Sequence, residues 1–249
     1  MGHTPAANPS TAMKRTAVAT SPSPAIRKEP RKLPARTQKA NARAARVGLV
    51  LATSNLPTTD KILEAAAEFF ASHGYVNSTL DDVAALAGFT KGAVYYYFKD
   101  KESLLLEVLK RIEVRSIDTT TAKVNERGGP ATERLEMFVR YQTRWAAQHP
   151  RDLAILMLVS AETAHTSQRV RTQVLKIYKK LGAFLEEVIE SGKRAGEFSR
   201  NQETRDTVLY LQAVHDGNMM IWYRSGTDPE IGRRLARATL TGFLRTVKD

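Results

Sequence analysis

The segment Thr79–Phe98, with the sequence TLDDVAALAGFTKGAVYYYF, predicts two short helices joined by a tight turn. Thr79 and Asp82 have the spacing of a capping box, which satisfies free backbone N–H groups at the start of a helix. Gly88 stands where the first helix must end, because glycine adopts a left-handed backbone conformation without steric cost. The segment therefore predicts a helix-turn-helix.

The second helix of this segment, capped by Thr90, has only two core-type residues, Val94 and Phe98. Its other positions carry a basic residue, small residues and phenols that we expect to face outward: Lys91, Gly92, Ala93, Tyr95 and Tyr96. A short exposed helix of this composition suits the major groove of DNA. The alternative is a helical hairpin of any all-α protein. Against it, three adjacent tyrosines point in different directions around a helix and cannot all be core residues.

Composition narrows the classes of protein to which the chain can belong. With 249 residues, 42% of them hydrophobic, it can bury the core of one or two domains. It has no cysteine, which excludes disulfides and thiolate metal sites and suits a cytoplasmic location. The longest apolar run, Leu153 to Val159, is too short to cross a bilayer, so we expect no membrane anchor.

The net charge of +12 is unevenly distributed along the chain. Residues 1–57 contain ten Lys or Arg and a single acidic residue, Glu29, so nine of the twelve net positive charges lie there. The segment also holds most of the prolines and has no apolar periodicity, which predicts disorder. Its role stays open between a basic arm that binds DNA phosphates, a solvated extension, and a start codon placed too far upstream, with Met13 as the alternative start.

Helical periodicity continues on both sides of the central segment. Upstream, the apolar spacing of residues 62–70 predicts a helix capped by Thr58 or Thr59. Downstream, Asp100 is expected to cap a fourth helix that starts beside the second helix of the motif and leads away from it. Lys101, in its first turn, fits poorly with the helix dipole. It indicates either a contact with a DNA phosphate or an ordinary surface lysine.

These helices carry a dense motif: Ile62-Leu63-x-x-Ala66-x-x-Phe69-Phe70-x-x-x-Gly74-Tyr75, then Thr79, Val83-Ala84-x-x-Ala87-Gly88-Phe89-Thr90-Lys91-Gly92-Ala93-Val94-Tyr95-Tyr96-Tyr97-Phe98-x-x-Lys101-Glu102-x-Leu104. Over about residues 58–107 the chain resembles the amino-terminal signature of the TetR family of bacterial transcriptional regulators. The resemblance implies an all-α fold, in which a three-helix DNA-binding domain precedes a helical ligand-binding and dimerisation domain. Family members usually repress transcription until a small molecule relieves the repression.

We accordingly predict a basic, disordered extension at 1–57, a helix-turn-helix DNA-binding domain at 58–104, and an effector-binding and dimerisation domain at 105–249. The resemblance implies DNA contacts from Thr79, Thr90, Lys91, Gly92, Ala93, Tyr95, Tyr96 and Lys101. Ala93 departs from the family pattern, in which Thr or Ser is common. Without the hydroxyl we expect only proximity to the groove there. The expected partner is a palindromic operator bound by a homodimer.

After a break at Gly128-Gly129-Pro130 the pattern predicts further helices, of which the last three run from about Ser167 to Arg194, Thr204 to Tyr223 and Pro229 to Val247. By resemblance, the final pair, within about residues 204–247, forms the homodimer interface. An intramolecular core is the alternative, because apolar periodicity does not distinguish a core from an interface.

A ligand pocket combines apolar walls with a few polar groups. The residues that fit this description on otherwise buried faces are Trp145, Glu162, His165, Tyr178, His215, Asn218 and Trp222. His215, Asn218, Met219 and Trp222 recur on one face of a helix, where we expect the effector first. For each residue alone, a satisfied core position is the alternative. The mixture favours an apolar or amphipathic effector, such as a fatty-acyl or aromatic compound.

The sequence offers little support for catalysis. Its five histidines show no close metal-ligand spacing, and it contains neither a glycine-rich phosphate loop nor a nucleophile elbow. We therefore expect no enzyme activity, no cofactor and no bound metal. The nearer alternative to a ligand-responsive repressor is an architectural DNA-binding protein, driven by the basic segment and without a small-molecule effector.

Overall fold

The computed structural model describes residues 55–163 and 167–248, so that nearly all of the basic segment at 1–57 lies outside the described residues. Within these ranges the structure contains no strand, and the prediction of an all-α fold is confirmed. None of the described helices is long and apolar enough to cross a membrane. The α-helices are α1 Thr58–His73, α2 Leu80–Ala87, α3 Lys91–Tyr97, α4 Lys101–Glu113, α5 Thr119–Arg127, α6 Ala131–Gln148, α7 Pro150–Glu162, α8 Gln168–Ala195, α9 Thr204–Arg224 and α10 Pro229–Lys248.

Helices α2 and α3 form the predicted helix-turn-helix. At the start of α2 the Thr79 hydroxyl accepts a bond from the Asp82 N–H (3.1 Å), and the Asp82 carboxylate accepts one from the Thr79 N–H (3.0 Å). Gly88 ends α2 at φ +75°, in the left-handed region. At the start of α3 the Thr90 hydroxyl accepts a bond from the Ala93 N–H (3.2 Å). Each cap expected from the sequence of this segment is present.

The start of α1 differs from the prediction. Pro57 occupies the N-cap position, Thr58 is already helical, and no side chain caps the helix. The expectation that Thr58 or Thr59 caps α1 was wrong, because the chain enters the helix earlier. Pro57 has an extended backbone (φ −52°, ψ 150°) that suits the residue just before a helix.

Helix α4 connects the first three helices to the rest of the chain. Its start carries a second capping box, in which the Asp100 carboxylate accepts from the Ser103 N–H (2.6 Å) and the Ser103 hydroxyl from the Asp100 N–H (3.2 Å). Leu104 and Leu105 have no exposed surface, because α4 packs against both α1 and α8. The expected domain boundary at residue 104 falls inside this helix, so the division into domains stays a prediction.

A π-helical turn, Val114–Asp118, follows α4 without a break. The wider turn was not predicted, since apolar periodicity does not separate it from an α-helix. Buried Gln142 of α6 donates from Nε2 to the Ser116 carbonyl (2.9 Å) and to the Thr120 hydroxyl (3.2 Å). These two bonds tie the turn and the start of α5 to α6.

A cluster of charged residues joins α1 to the π-helical turn and α7. Glu64 of α1 accepts a hydrogen bond from Arg115 (3.2 Å), and Arg115 also lies 3.6 Å from the Asp152 carboxylate of α7. Arg151, the neighbour of Asp152, donates to Glu68 of α1 (3.3 Å). The cluster therefore anchors the first helix on the later part of the chain.

The last three helices follow the predicted boundaries to within one residue. The Ser167 hydroxyl caps α8 by accepting from the Val170 N–H (3.1 Å), and Gly196 ends the helix in the left-handed conformation. Pro229 opens α10, where its missing N–H costs no helical bond.

Gly192 lies on the buried face of α8, and a Cβ atom there would overlap the ring of buried Phe198. We expect Gly192→Ala to lower the free energy of unfolding by about 1–3 kcal/mol, although alanine favours helices. Gly182→Ala in the same helix is the control, because its methyl would meet Gln212 at an ordinary 3.5 Å. That change should be neutral or stabilising by up to ~1 kcal/mol. Urea unfolding measures both variants, and equal stability would contradict the overlap.

Candidate nucleic-acid interface and effector cavity

The outer face of α3 is exposed, because the helix is anchored in the core only by Val94 and by Phe98, which follows its last residue. Tyr96 is 84% exposed, and Lys91, Gly92 and Tyr95 are exposed too, whereas Ala93 is half-buried. Tyr97, which was not among the residues predicted to contact DNA, is also exposed. Its ring packs edge-on against that of Tyr96, with ring centroids 5.1 Å apart. Its position in a run of three tyrosines was the available signal. The helix thus presents phenols and a lysine to solvent.

Lys91 is held in place across the turn. Its Nζ donates to the Asp81 carboxylate of α2 (2.8 Å) and lies 5.6 Å from the centre of the Tyr95 ring. The hydrogen bond to Asp81 raises the pKa of Lys91, so the side chain keeps its charge. The acidic partner gives the ammonium group a defined direction on a surface that is otherwise open to solvent.

The two threonines and Lys101 already have intramolecular partners. The hydroxyls of Thr79 and Thr90 both act as helix caps. Lys101 Nζ donates to the carbonyls of Tyr75 (2.8 Å) and Val76 (3.1 Å) and lies 4.4 Å from the centre of the Tyr75 ring. Burial lowers the pKa of Lys101. A phosphate contact from Lys101 stays a prediction, with two of its three N–H groups already engaged.

The carboxylate of Glu162 lies against the loop between α1 and α2. Its carboxylate accepts bonds from the backbone N–H groups of Tyr75 (3.0 Å) and Val76 (3.2 Å), and Glu162 lines neither cavity described below. Glu162 was among the predicted effector residues because it is a polar residue on an otherwise buried-looking face. The fold instead brings it against the loop between α1 and α2, together with Lys101.

The predicted face of α9 lines a cavity of about 360 Å³ between α6, the start of α7 and α10. We call it the large chamber. The four residues of this face, His215, Asn218, Met219 and Trp222, all contribute to the lining. The walls are mainly apolar, with Val139 and Ala146 from α6 and Leu235 from α10 among them.

A second cavity of about 230 Å³, the small chamber, lies between the π-helical turn and helices α6 to α9. Trp145 and Tyr178 line it, and His215 and Met219 line both chambers. Five of the seven effector candidates predicted from the sequence therefore line one of two neighbouring cavities. Of the other two, Glu162 lines neither cavity and His165 lies outside the described residues.

The polar groups of the large chamber are mostly paired. Asn218 Nδ2 donates to the Thr239 hydroxyl (2.7 Å), which in turn donates to the Leu235 carbonyl (2.8 Å). Trp222 Nε1 donates to the Asp228 carbonyl (3.0 Å). These bonds leave the large chamber with little polar character.

The small chamber contains an acid that sequence analysis missed. Loss of hydration raises the pKa of Asp216 to about 6, although a hydrogen bond from the Tyr178 hydroxyl opposes the shift. Desolvation, with a contribution from Asp216, raises the pKa of Tyr178 well above its ordinary value. His215 is neutral, because burial of the ring lowers its pKa to about 4. No sequence signal marked Asp216, since its pairing with Tyr178 joins α9 to α8.

An exposed, capped recognition helix ahead of a helical domain with internal cavities defines a class of protein: the ligand-responsive DNA-binding regulators. Two family models match the chain. Residues 62–108 match the model described as bacterial regulatory proteins of the tetR family, and residues 128–243 match a tetracyclin repressor-like C-terminal domain. The chain belongs to the TetR family, as its helix-turn-helix motif predicted.

Its relatives are regulators as well. The fatty acid metabolism regulator protein of Bacillus subtilis is 27% identical over 167 residues, which cover 67% of this chain and 84% of the relative. The MbdR regulator from Azoarcus sp. CIB superimposes with a TM-score of 0.66 at 28% identity, over 78% of this chain and 100% of that one. A crystal structure of FadR from Bacillus subtilis in complex with stearoyl-CoA gives a TM-score of 0.65 at 21% identity, over 75% and 98%.

The depressed pKa of His215 predicts a change of stability with pH. Between pH 6.5 and about 4 the unfolded chain binds a proton that the folded protein rejects, so stability falls as the pH falls through this window. From pH 7 to pH 4 we expect the free energy of unfolding to drop by on the order of 3 kcal/mol relative to His215→Gln. Asp216→Asn is the control with the opposite sign. Because the pKa of Asp216 is raised in the folded protein, its contribution to the free energy of unfolding of the wild type falls as the pH rises. Urea unfolding across this range measures both differences. Parallel curves for wild type and His215→Gln would contradict the assignment.

Proposed function

We propose that this chain is a homodimeric repressor that inserts α3 of each protomer into the major groove of one half of a palindromic operator. The observation that carries the proposal is the exposed face of α3, where Lys91 and Tyr96 project from a short helix capped at its start. The positions assigned to DNA contact are Thr79, Thr90, Lys91, Gly92, Ala93, Tyr95, Tyr96 and Lys101. Half-sites would lie about 34–36 Å apart, or a multiple of that, to match successive major grooves.

The dimer interface is assigned to α9 and α10. Leu209, Tyr210 and Ile221 of α9 and Ile231 of α10 are large apolar residues that are exposed in the single chain. Covering such residues with a second copy removes apolar surface from water and stabilises the pair. Their position supports an interface within residues 204–247, where family resemblance also places it.

The effector is assigned to the two chambers, and its chemistry to apolar or amphipathic small molecules. The size of the large chamber, about 360 Å³, falls within the roughly 300–1,000 Å³ of small-molecule sites. A bound molecule would favour one conformer through its differential affinity and would thereby change the spacing of the two α3 helices. Helix α4 and the π-helical turn provide the connection, because the turn lines the small chamber and α4 begins beside α3.

A regulator and a purely architectural DNA-binding protein differ in how their affinity responds to salt. Binding driven by the basic segment at 1–57 loses nearly all affinity as salt rises, whereas operator recognition keeps a preference for one sequence. The family match and the cavities favour the regulator. Its proposed partner is a double-stranded DNA operator, which supports a cytoplasmic location.

Lys91→Ala and Tyr96→Ala test the DNA-binding surface. Each removes a side chain that faces the groove, so we expect the operator affinity to fall about tenfold or more while the dimer stays intact. Lys110→Ala is the matched control, because Lys110 is an exposed lysine that is likewise paired with an acid, Glu107 (2.6 Å), but lies on α4. Fluorescence anisotropy with operator DNA measures the three affinities. Equal affinities would overturn the assignment of α3.

Leu209→Glu tests the dimer interface. A buried carboxylate without a partner is unfavourable, so we expect the dimer dissociation constant to rise about tenfold or more. Leu175→Glu is the control, because Leu175 is a similarly exposed leucine on α8 (55% against 64%). Light scattering over a dilution series gives both constants. An unchanged dimer in Leu209→Glu would remove the interface from this part of α9.

A further inference from the structure

The two chambers meet at His215 and Met219, which line both of them. Apolar side chains line both chambers on either side of this junction. Val139 and Leu235 contribute to the large chamber, and Leu156 and Leu181 to the small one. A molecule that occupied both chambers would therefore lie against the imidazole ring of His215 and the side chain of Met219.

His215 has an unusual environment for a polar side chain. It is 8% exposed, and no hydrogen bond joins its ring to any residue in the described part of the chain. Its ring stands 5.8 Å from that of Phe138, which offers no hydrogen-bond acceptor in its plane. The ring borders both cavities and has no hydrogen-bond partner among the described residues, so its nitrogens are available to a polar group of a ligand there.

The chambers provide few charges for an ionic ligand. Among the described lining residues the charged side chains are Arg233 and Asp216. Arg233 is engaged by Glu230, with Nη2 to carboxylate oxygen at 2.7 Å, and Asp216 accepts the Tyr178 hydroxyl. Because burial holds His215 neutral, its ring offers one N–H donor and one nitrogen acceptor rather than a positive charge.

We propose that the effector is an uncharged, mainly apolar molecule whose hydroxyl, carbonyl or amide group hydrogen-bonds to His215 at the junction of the two chambers. The inference rests on the proposed function only in taking the occupant of the chambers as the effector. A carboxylate at the junction would lose its hydration beside the acidic Asp216, and an ammonium group there would meet an acid whose pKa is raised and which already accepts the Tyr178 hydroxyl. An alkane would leave the imidazole unpaired.

The two tryptophans of the chain provide a built-in signal for occupancy. Trp222 lines the large chamber and Trp145 the small one. In Trp145→Phe the remaining fluorescence reports on the large chamber, and in Trp222→Phe on the small one. A ligand that passes the junction should change the emission of both variants.

The test is a fluorescence titration of the full-length protein with alkyl compounds of one chain length that differ only in the end group. The series contains the primary alcohol, the primary amide, the carboxylate, the ammonium compound and the plain alkane. We expect the alcohol and the amide to bind about fivefold to tenfold more tightly than the alkane, which corresponds to one hydrogen bond, and more tightly than either ion. Since His215 stays neutral, the affinity for the alcohol should not change between about pH 7 and pH 8, above the pKa of about 6 of neighbouring Asp216.

Two variants separate the hydrogen bond from the shape of the cavity. His215→Leu should bind the alcohol no better than the alkane, whereas His215→Gln, which keeps a donor and an acceptor, should retain part of the preference. Met219→Leu, at the other shared position, should keep the full preference, because it changes only apolar packing.

Tighter binding of the carboxylate, or of an acyl-CoA thioester, than of the alcohol would overturn the proposal. So would an alcohol preference that survives in His215→Leu, or an absence of binding across the series. Operator affinity without ligand is measured in parallel. If wild type binds the operator while the end-group preference fails, this inference is wrong and the proposed function stands. If wild type does not bind a specific operator, the proposed function itself fails.

Discussion

Helix α4 is buried on two sides, and through it the first three helices are packed onto the remainder of the chain. Leu104, Leu105 and Leu109 have no exposed surface, because α1 covers one side of the helix and α8 the other. A helix that is buried on both sides moves as a rigid rod, since protein interiors are closely packed and deform little. Any shift at its end beside the π-helical turn is therefore carried to Asp100, where α4 begins next to α3.

Charges reinforce this apolar contact. Glu64 and Glu68 of α1 form ion pairs with one arginine each of α4, the π-helical turn and α7. These pairs couple the position of α1 to that of the other three elements. A group deprived of its partner in such a partly buried cluster would remain as an uncompensated charge, which is more costly than the pair is favourable. The cluster thus favours concerted movement of the DNA-binding helices over local fraying. A regulator needs concerted movement, because a small ligand can shift the DNA-binding helices only through its differential affinity for two conformers.

Helix α9 has two functional faces. One lines both chambers through His215 and Met219, and the other presents Leu209, Tyr210 and Ile221 outside the protomer. Because the same rigid helix carries both faces, a ligand that moves α9 would also alter the proposed contact with a second copy. Neutral His215 fits this arrangement, since a charged ring would draw water between the chambers.

The helix-turn-helix and the last three helices could be predicted from the sequence alone. Caps, glycines and apolar spacing are local signals, and they located α2, α3 and the last three helices, and selected the face of α9 that lines the large chamber. Which polar groups pair across helices depends on the tertiary structure. It paired Lys91 with Asp81 and Tyr178 with Asp216, and it turned Glu162 toward the loop before α2 instead of a cavity. Each of these contacts joins residues of different helices or loops, and periodicity describes only the direction in which a side chain leaves its own helix.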